Sequence, residues 1–397
     1  MSRHHLPGPE TVDHALIGST RRLNPSTNVL EWAKMPVHGA NQNVFITEQI
    51  QYRLDPVREA GRHIFQIGTN DPDRAVAAAR MIAADVDGID LNAGCPKSFS
   101  THGGMGAALL KTPDRLVAIL EALVRNITPE FGIGISVKIR LLEHPADTEA
   151  LVRRLVATGI TGLTIHCRTT PMRPRERAIR DQLRMIADLC RDAGVACLMN
   201  GDVESRDQAA ALVAEYGVDG AMMATAAEKN PSCFRAAADG GPATWREVAT
   251  EYLRLCLETD NFISNTKFLL SRMVPGKDPM YRDVAGAKTF AALCRAVGLD
   301  ALPDKVRVLD ERNEALRLEE EAFKRKRKDE AERNKKLEAE RREEAARKTK
   351  EAGSPRSRGR SRSWSPEDGN DKKRRKRAGG ETGETGEKPA AALQCSF

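Results

Sequence analysis

Between residues 63 and 238 the chain repeats one pattern six times. Each repeat has about five apolar residues, a break carrying polar side chains, and an amphipathic helical stretch. The expected strands are 63–67, 88–92, 135–139, 162–166, 196–199 and 220–223. The expected helices are 73–84 (with Pro72 at its start), 113–126 (with Thr112 as cap), 148–157, 180–193, 205–216 and 231–238. Short apolar strands joined through helices imply parallel βαβ units. Polar residues recur at the strand C-termini: Gln66, Asn92, Lys138 with Arg140, His166 with Arg168, Asn200 with Gly201, and Thr225. A doubly wound dinucleotide fold would carry GxGxxG after its first strand, and that fingerprint is missing. Suspicious residues drawn from every strand end favour an α/β (β/α)8 TIM barrel, whose site collects strand ends on one face. Six strands fall two short of closure. Residues 1–60 offer only a short helix over 11–17, a polar loop or hairpin over 24–32, and a weak strand around Val44, Phe45 and Ile46.

The loop after the second of these strands is the richest in chemistry. Residues 88–110 read GIDLNAGCPKSFSTHGGMGAALL: a buried-strand run, a small-residue loop holding Cys95 against Pro96 and Lys97, then Gly103, Gly104 and Gly106. With no histidine beside it in sequence, Cys95 does not read as half of a Cys–His nucleophile pair. A thiol that is mostly protonated at neutral pH can instead donate a proton, and an inert small residue is the bland alternative. Lys138, between Val137 and Ile139, is costly inside a barrel unless it meets an anion or an electron-rich ring; snorkelling from the rim is the alternative. His166 and Arg168 could face a flavin ring, a phosphate or a base, or be structural. Asn200 with Gly201, and Ala224 with Thr225, sit where barrels commonly grip phosphate.

Composition limits the remaining classes. No apolar stretch could span a membrane, and the first residues lack a secretory core. The 8 cysteines are scattered singly, which argues against zinc or iron–sulfur sites and for a reducing compartment. The net charge of +7 is uneven. Residues 241–303 read as a small helical domain carrying Lys267, Arg272, Lys277, Arg282, Lys288 and Arg295, able to grip a polyanion or simply to face solvent. Residues 304–350 are Glu/Lys/Arg-rich without an apolar seam, as in a single exposed helix. Residues 351–397 form a tail expected to be disordered, with an Arg/Ser tract at 354–366 and a basic block, KKRRKR, from Lys372 to Arg377. That block suggests an import receptor or RNA as partner, and hence nucleus and cytoplasm as locations.

The segment NAGCPKSFSTHGGMGAALL resembles the signature of the tRNA-dihydrouridine synthases, and its wording is similar to the eukaryotic branch acting at position 20 of the D-loop. FQIGT (65–69), SVKIR (136–140), IHCR (165–168), MNGD (199–202), MMATAAEKNPSCF (222–234) and NTKFLL (265–270) agree in order and spacing over roughly residues 10–300. The resemblance implies an FMN-bound barrel over residues 1–240 and a helical tRNA-binding domain after it, in a monomer. It implies that NADPH reduces the flavin, that hydride passes to C6 of a uracil, and that a cysteine matching Cys95 protonates C5. Lys138, His166, Gln66 and Asn92 match flavin-side positions, and Asn200, Gly201, Ala224 and Thr225 the phosphate end. Asn92, Lys97, Arg168, Lys267 and Arg272 are the substrate-side candidates. Cys167 stands where the family often has glycine. Family members normally open with a strand reading approximately Ala-Pro-Met, a helix and a second strand. Residues 9–13 resemble the stretch just after that second strand, so the barrel is expected to lack its first β-α-β portion, through an incomplete gene model or an alternative start. A flavin barrel oxidoreductase acting on a small molecule, or a non-catalytic RNA-binding remnant, are the competing readings.

Overall fold

The computed structural model describes residues 19–23, 30–34, 49–61, 63–300 and 303–352. The candidate helix at 11–17, the candidate strand at 44–46, the Arg/Ser tract and the basic block at 372–377 lie outside the described residues. The chain divides into two units, Met1–Leu318 and Glu319–Phe397.

The six expected strands are present as β4 (Ile64–Ile67), β5 (Gly88–Asn92), β6 (Gly134–Arg140), β7 (Gly162–His166), β8 (Ala196–Asn200) and β9 (Gly220–Met222). They pair in parallel, each with its sequence neighbour, in the order β4-β5-β6-β7-β8-β9. That unpermuted order is the arc of a (β/α)8 wall, in which each crossover helix returns the chain one strand along. Apolar runs buried on both faces explain the sequence pattern: β5 and β7 are buried at every residue but the last. The final polar residues therefore line up side by side. Asn92 is opposite Lys138, Arg140 opposite His166, and His166 opposite Asn200.

The crossover helices are α1 (Pro72–Ile82), the single turn α2 (Ser98–Thr101), α3 (Pro113–Phe131), α4 (Pro145–Val156), α5 (Leu183–Asp192) and α6 (Arg206–Tyr216). α1 buries Ala75, Ala78, Ala79 and Ile82, and α3 buries Leu116, Ile119, Leu120, Leu123 and Ile127, one stripe each against the sheet. Asp71 caps α1, its carboxylate accepting from Arg74 N at 2.9 Å ahead of Pro72. Thr112 occupies the cap position of α3, but its side chain makes no cap bond there. The expected helix at 231–238 is two 3-10 turns, Pro231–Phe234 and Ala237–Asp239, preceded by the short α7 (Thr225–Lys229).

Residues before β4 differ from parallel staves. β1 (Ser19–Leu23), β2 (Leu30–Lys34) and β3 (Gln49–Leu54) form a separate antiparallel sheet in the order β1-β2-β3. Of the span 24–32, read as a polar loop or hairpin, residues 24–29 lie outside the described residues, and Leu30–Trp32 belong to β2, which pairs antiparallel with β1. Mixed polar sequence there conceals strand periodicity, because only one face of such a sheet has to be apolar.

After the barrel arc come α8 (Trp245–Glu258), α9 (Ile263–Met273), α10 (Met280–Gly286) and α11 (Phe290–Val297). A capping box between Thr244 and Glu247 starts α8. The sequence pattern predicts one continuous helix over 286–297. Extended backbone at Ala287 ends α10 instead, and Thr289 caps α11 by accepting from Ala292 N. Leu253, Leu257, Leu270, Val284, Phe290 and Leu293 make a second core, which Val306 and Leu309 complete. Those two residues belong to α12 (Pro303–Ala352), so the helical core continues past residue 303. In the second unit the described residues are charged helix, with pairs such as Lys328–Glu332 at i,i+4. No helix among the described residues is long and apolar enough to cross a membrane.

Candidate active site

The β5 strand ends on Asn92, and the chain then turns sharply under that residue's control. Asn92 Oδ1 accepts from the N–H groups of Gly94 and Cys95, both at 3.1 Å, in an Asx-type turn. The Ala93 N–H donates to Lys138 O at 2.8 Å, and Arg140 Nε donates to Gly94 O at 2.7 Å, which tie the loop to β6. Its far side is held by Ala107 N to Cys95 O at 2.9 Å, and by Asn70 Nδ2 to Gly103 O at 2.8 Å. Gly106 has φ +58°, and a Cβ on it would lie 2.4 Å from Ser100 Oγ and 2.6 Å from Cys95 O. Only glycine fits that position. Among the seven described cysteines, Cys95 alone is not buried. A reachable thiol on a loop this heavily tied is placed for chemistry rather than for packing.

Beside it stands Lys138, half-buried on β6. Burial pulls its ammonium down to about 8, the Asp90 carboxylate pushing the other way and Arg140 adding to the drop. Asp90 lies one layer below on β5, 7% exposed, and accepts from Gln66 Nε2 and Ser136 Oγ, each at 2.7 Å. Burial raises its carboxyl above the ordinary range, while those two bonds and Lys138 oppose the rise. Gln66, exposed at the end of β4, also accepts from Asn92 Nδ2 at 3.0 Å.

His166 is held neutral. Burial first, then the charges of Lys138, Arg140 and Arg168, lower its imidazole to about 3. Arg168 Nη1 lies 3.2 Å from His166 Nε2, and a guanidinium can only donate, so Nε2 accepts and the ring proton sits on Nδ1. His166 thus presents a donor and has no acid function near neutral pH. Cys167 is fully buried, its thiol pushed up to about 11, and it is inert.

Arg168, a substrate-side candidate by sequence, turns inward instead. It is 6% exposed, and each of its three nitrogens holds a protein partner: Glu176 O at 2.7 Å, His166, and Pro174 O with Asp202. Burial of that charge is sustained by Asp202, where the Ala178 N–H and Arg168 outweigh burial and keep the carboxyl below its usual range. The arginine is a strut behind His166. Asn200, 6% exposed, donates to Met222 O at 3.0 Å and so ties β8 to β9. Gly201 has φ +123° and runs so close to the β7 loop that a Cβ would meet Ala178 at 3.1 Å. It precedes the α6 cap, Ser205, by four residues, so the phosphate-end position is loop rather than helix start. Ala224 is the residue before α7, and Thr225 is exposed on its first turn.

Two other expected contacts lie in the helical domain. Lys267 is half-buried and donates to Ala287 O at 3.2 Å, bracing α9 against the end of α10. Arg272 pairs with Glu228 on α7 at 3.3 Å and lies over the Phe268 ring. Arg282, Lys288 and Arg295 instead line an open cavity, and none is in an ion pair among the described residues. Sequence reasoning misses Asp90, hidden inside an apolar run, and it misses Arg180. Arg180 Nε is buried without a hydrogen-bond partner among the described residues, while its Nη2 donates to Gly201 O at 3.0 Å. Among the described residues no group of His, Cys, Asp and Glu could hold a metal ion.

These features suit a flavin mononucleotide. Lys138 makes no hydrogen bond or ion pair among the described residues, and the row Gln66, Asn92, Lys138, His166 supplies donors suited to a planar ring rich in acceptors. The orphaned Arg180 Nε, next to Gly201, suits an anion at the other end of the row. A dihydrouridine synthase family model matches residues 21–274. The tRNA-dihydrouridine(20) synthase [NAD(P)+] of Schizosaccharomyces pombe is 44% identical over 298 residues, 74% of this chain and 59% of that protein. The Saccharomyces cerevisiae enzyme of the same name is 40% identical over 287 residues, 71% of this chain and 73% of its own length. The chain thus spans about three-fifths of the first of these relatives. The length matched by the family model and the identity to these enzymes lead to one conclusion: the chain belongs to the dihydrouridine synthase family.

Proposed function

We propose that this chain, with FMN and NADPH, reduces a uridine at position 20 of the tRNA D-loop to 5,6-dihydrouridine. The carrying observation is that the one accessible described cysteine is fixed, through Asn92, into the same strand-end row as Lys138 and His166. FMN, when bound, supplies the chemistry of carrying hydride from NADPH to C6 of the uracil. The protein's own residues do the rest. Cys95 gives its proton to C5, so that one hydride and one proton saturate the double bond. Lys138 and the Nδ1–H of His166 face the ring as donors, and Gln66 and Asn92 hold its edge. Asn200, Gly201, Ala224 and Thr225 form the phosphate end. His166 is disfavoured as that donor, because burial and the neighbouring cations keep its ring neutral.

Lys97, exposed two residues from the thiol, meets RNA at the mouth. A uracil must leave the tRNA stack to reach such a site, so the target nucleotide is bound flipped. Arg282, Lys288 and Arg295, in no ion pair among the described residues, hold the tRNA backbone, while Lys267 braces that surface through Ala287 O. The protein acts as a monomer in nucleus and cytoplasm, with the basic block at 372–377 as its import contact.

The test separates the two half-reactions. Purified protein is expected to bind FMN and to be reduced by NADPH, and tRNA is then expected to reoxidise it. The Cys95→Ala protein should keep flavin and its reduction by NADPH while losing dihydrouridine. Loss of NADPH reduction in that variant would overturn the proton-donor role, and failure of the parent chain to bind FMN would overturn the reading as a whole.

A further inference from the structure

Asp90 is a carboxylate inside an apolar strand, where burial without purpose is costly. Its two acceptor oxygens are both used, Oδ2 by Gln66 Nε2 and Oδ1 by Ser136 Oγ. A carboxylate accepts only, so it selects one of the two orientations of the Gln66 amide. With Nε2 directed at Asp90, Gln66 Oε1 faces Asn92 and can bond only to that residue's Nδ2, at 3.0 Å. Asn92 then has its oxygen on the other side, where it accepts from Gly94 and Cys95. Asp90 thereby sets the Gln66 amide, and Gln66 Oε1 braces Asn92 in the orientation that the Gly94 and Cys95 N–H groups also require.

We infer that Asp90 is a positioning residue for Cys95: its buried carboxylate orients Gln66, Gln66 orients Asn92, and Asn92 holds the Gly94–Cys95 backbone. Its effect on turnover rests on the proposed function, whereas its effect on the loop does not. The series runs across three elements, from β5 to the end of β4 and back to the loop, so it also couples the spacing of these two strands to the thiol. Ala93 N–H offers an internal reference, because it donates to Lys138 O and lies outside the series.

Amide hydrogen exchange read residue by residue tests this without requiring activity. Asp90→Ala removes the acceptor, and exchange at Gly94 and Cys95 is expected to accelerate by about tenfold, the worth of one hydrogen bond, with Ala93 unchanged. Asp90→Asn is the conservative rescue. Its oxygen can accept from Gln66 while its amide donates to the rotatable Ser136 hydroxyl, so protection at Gly94 and Cys95 should return. Equal exchange at Gly94 and Cys95 in the two variants, or acceleration at Ala93 to the same degree, would overturn the proposal. If Asp90→Ala does not fold, Gln66→Leu at an exposed position cuts the same series at its second member. Unchanged protection at Gly94 and Cys95 in Gln66→Leu would also overturn it. Dihydrouridine formation is measured alongside, and is expected to fall in Asp90→Ala and recover in Asp90→Asn. Absence of product even in the parent chain would refute the proposed function while leaving the exchange comparison decisive for Asp90.

Discussion

Replacing Lys138 with methionine is expected to change how stability depends on pH in a way that measures the site's cost. The ammonium stands at about 8 in the folded protein because burial disfavours its charge. In the unfolded chain it returns to the ordinary lysine value of about 10.4. Between those two values the unfolded chain binds the proton and the folded chain does not, so stability rises with pH there; below about 8 both are charged and the folded state carries the full penalty. That penalty is about 3 kcal/mol at pH 7 and falls to about 1 kcal/mol at pH 9.5. Lys138→Met is close in length, carries no proton and has no such dependence. Its packing sets a fixed offset between the two stability curves, and the Lys138 proton is the main contribution to how the gap varies with pH. Urea unfolding of flavin-free protein from pH 7 to pH 9.5 should therefore show the parent chain gaining about 2 kcal/mol relative to Lys138→Met. The same variant is expected to bind FMN poorly, as befits a site that sacrifices stability for a ligand contact. A gap independent of pH, or one that moves in the opposite direction, would refute the claim that Lys138 is held as a desolvated cation.

Other expected outcomes concern the loop and the basic surface. Cys95→Ala should lower the rate of dihydrouridine formation by about 10²–10⁴-fold, the usual worth of a positioned acid, in single-turnover kinetics. Gly106→Ala should cost about 2 kcal/mol in denaturant unfolding and abolish product, because the new Cβ overlaps Ser100 Oγ and Cys95 O. Replacing Arg282, Lys288 and Arg295 together by alanine should weaken tRNA binding and flatten its salt dependence, by about 0.9 in log–log slope for each phosphate no longer neutralised. Lys267→Ala should instead reduce stability, since that amine is bonded to Ala287 O.

Much of the catalytic half is readable from sequence because parallel strands buried on both faces must be apolar throughout, which makes a polar residue at their ends conspicuous. Gln66, Asn92, Lys138, His166 and Asn200 stand out that way, and the sheet sets most of them in adjacent register. Asp90 escapes because a polar residue inside an apolar run looks like noise until Gln66 and Ser136 are seen to bond to it. Arg168 misleads for the opposite reason. Its position two residues beyond His166 suggests exposure, but the β7 loop folds back and Glu176, Pro174 and Asp202 enclose it. The antiparallel sheet of β1 to β3 is hidden by its mixed polarity, and the break between α10 and α11 by a run of small residues that suits helix and turn alike. The charge-bearing helices are legible, yet which cations are free depends on neighbours distant in sequence, such as Glu228 for Arg272.

The most direct measurement is mass analysis of an unmodified tRNA after incubation with the purified chain, FMN and NADPH. The account predicts that one D-loop uridine, at position 20, gains two hydrogen atoms, and that Cys95→Ala forms this product about 10²–10⁴-fold more slowly. An RNA left unchanged by flavin-loaded, NADPH-reducible protein, or equal product from the Cys95→Ala chain, would contradict it.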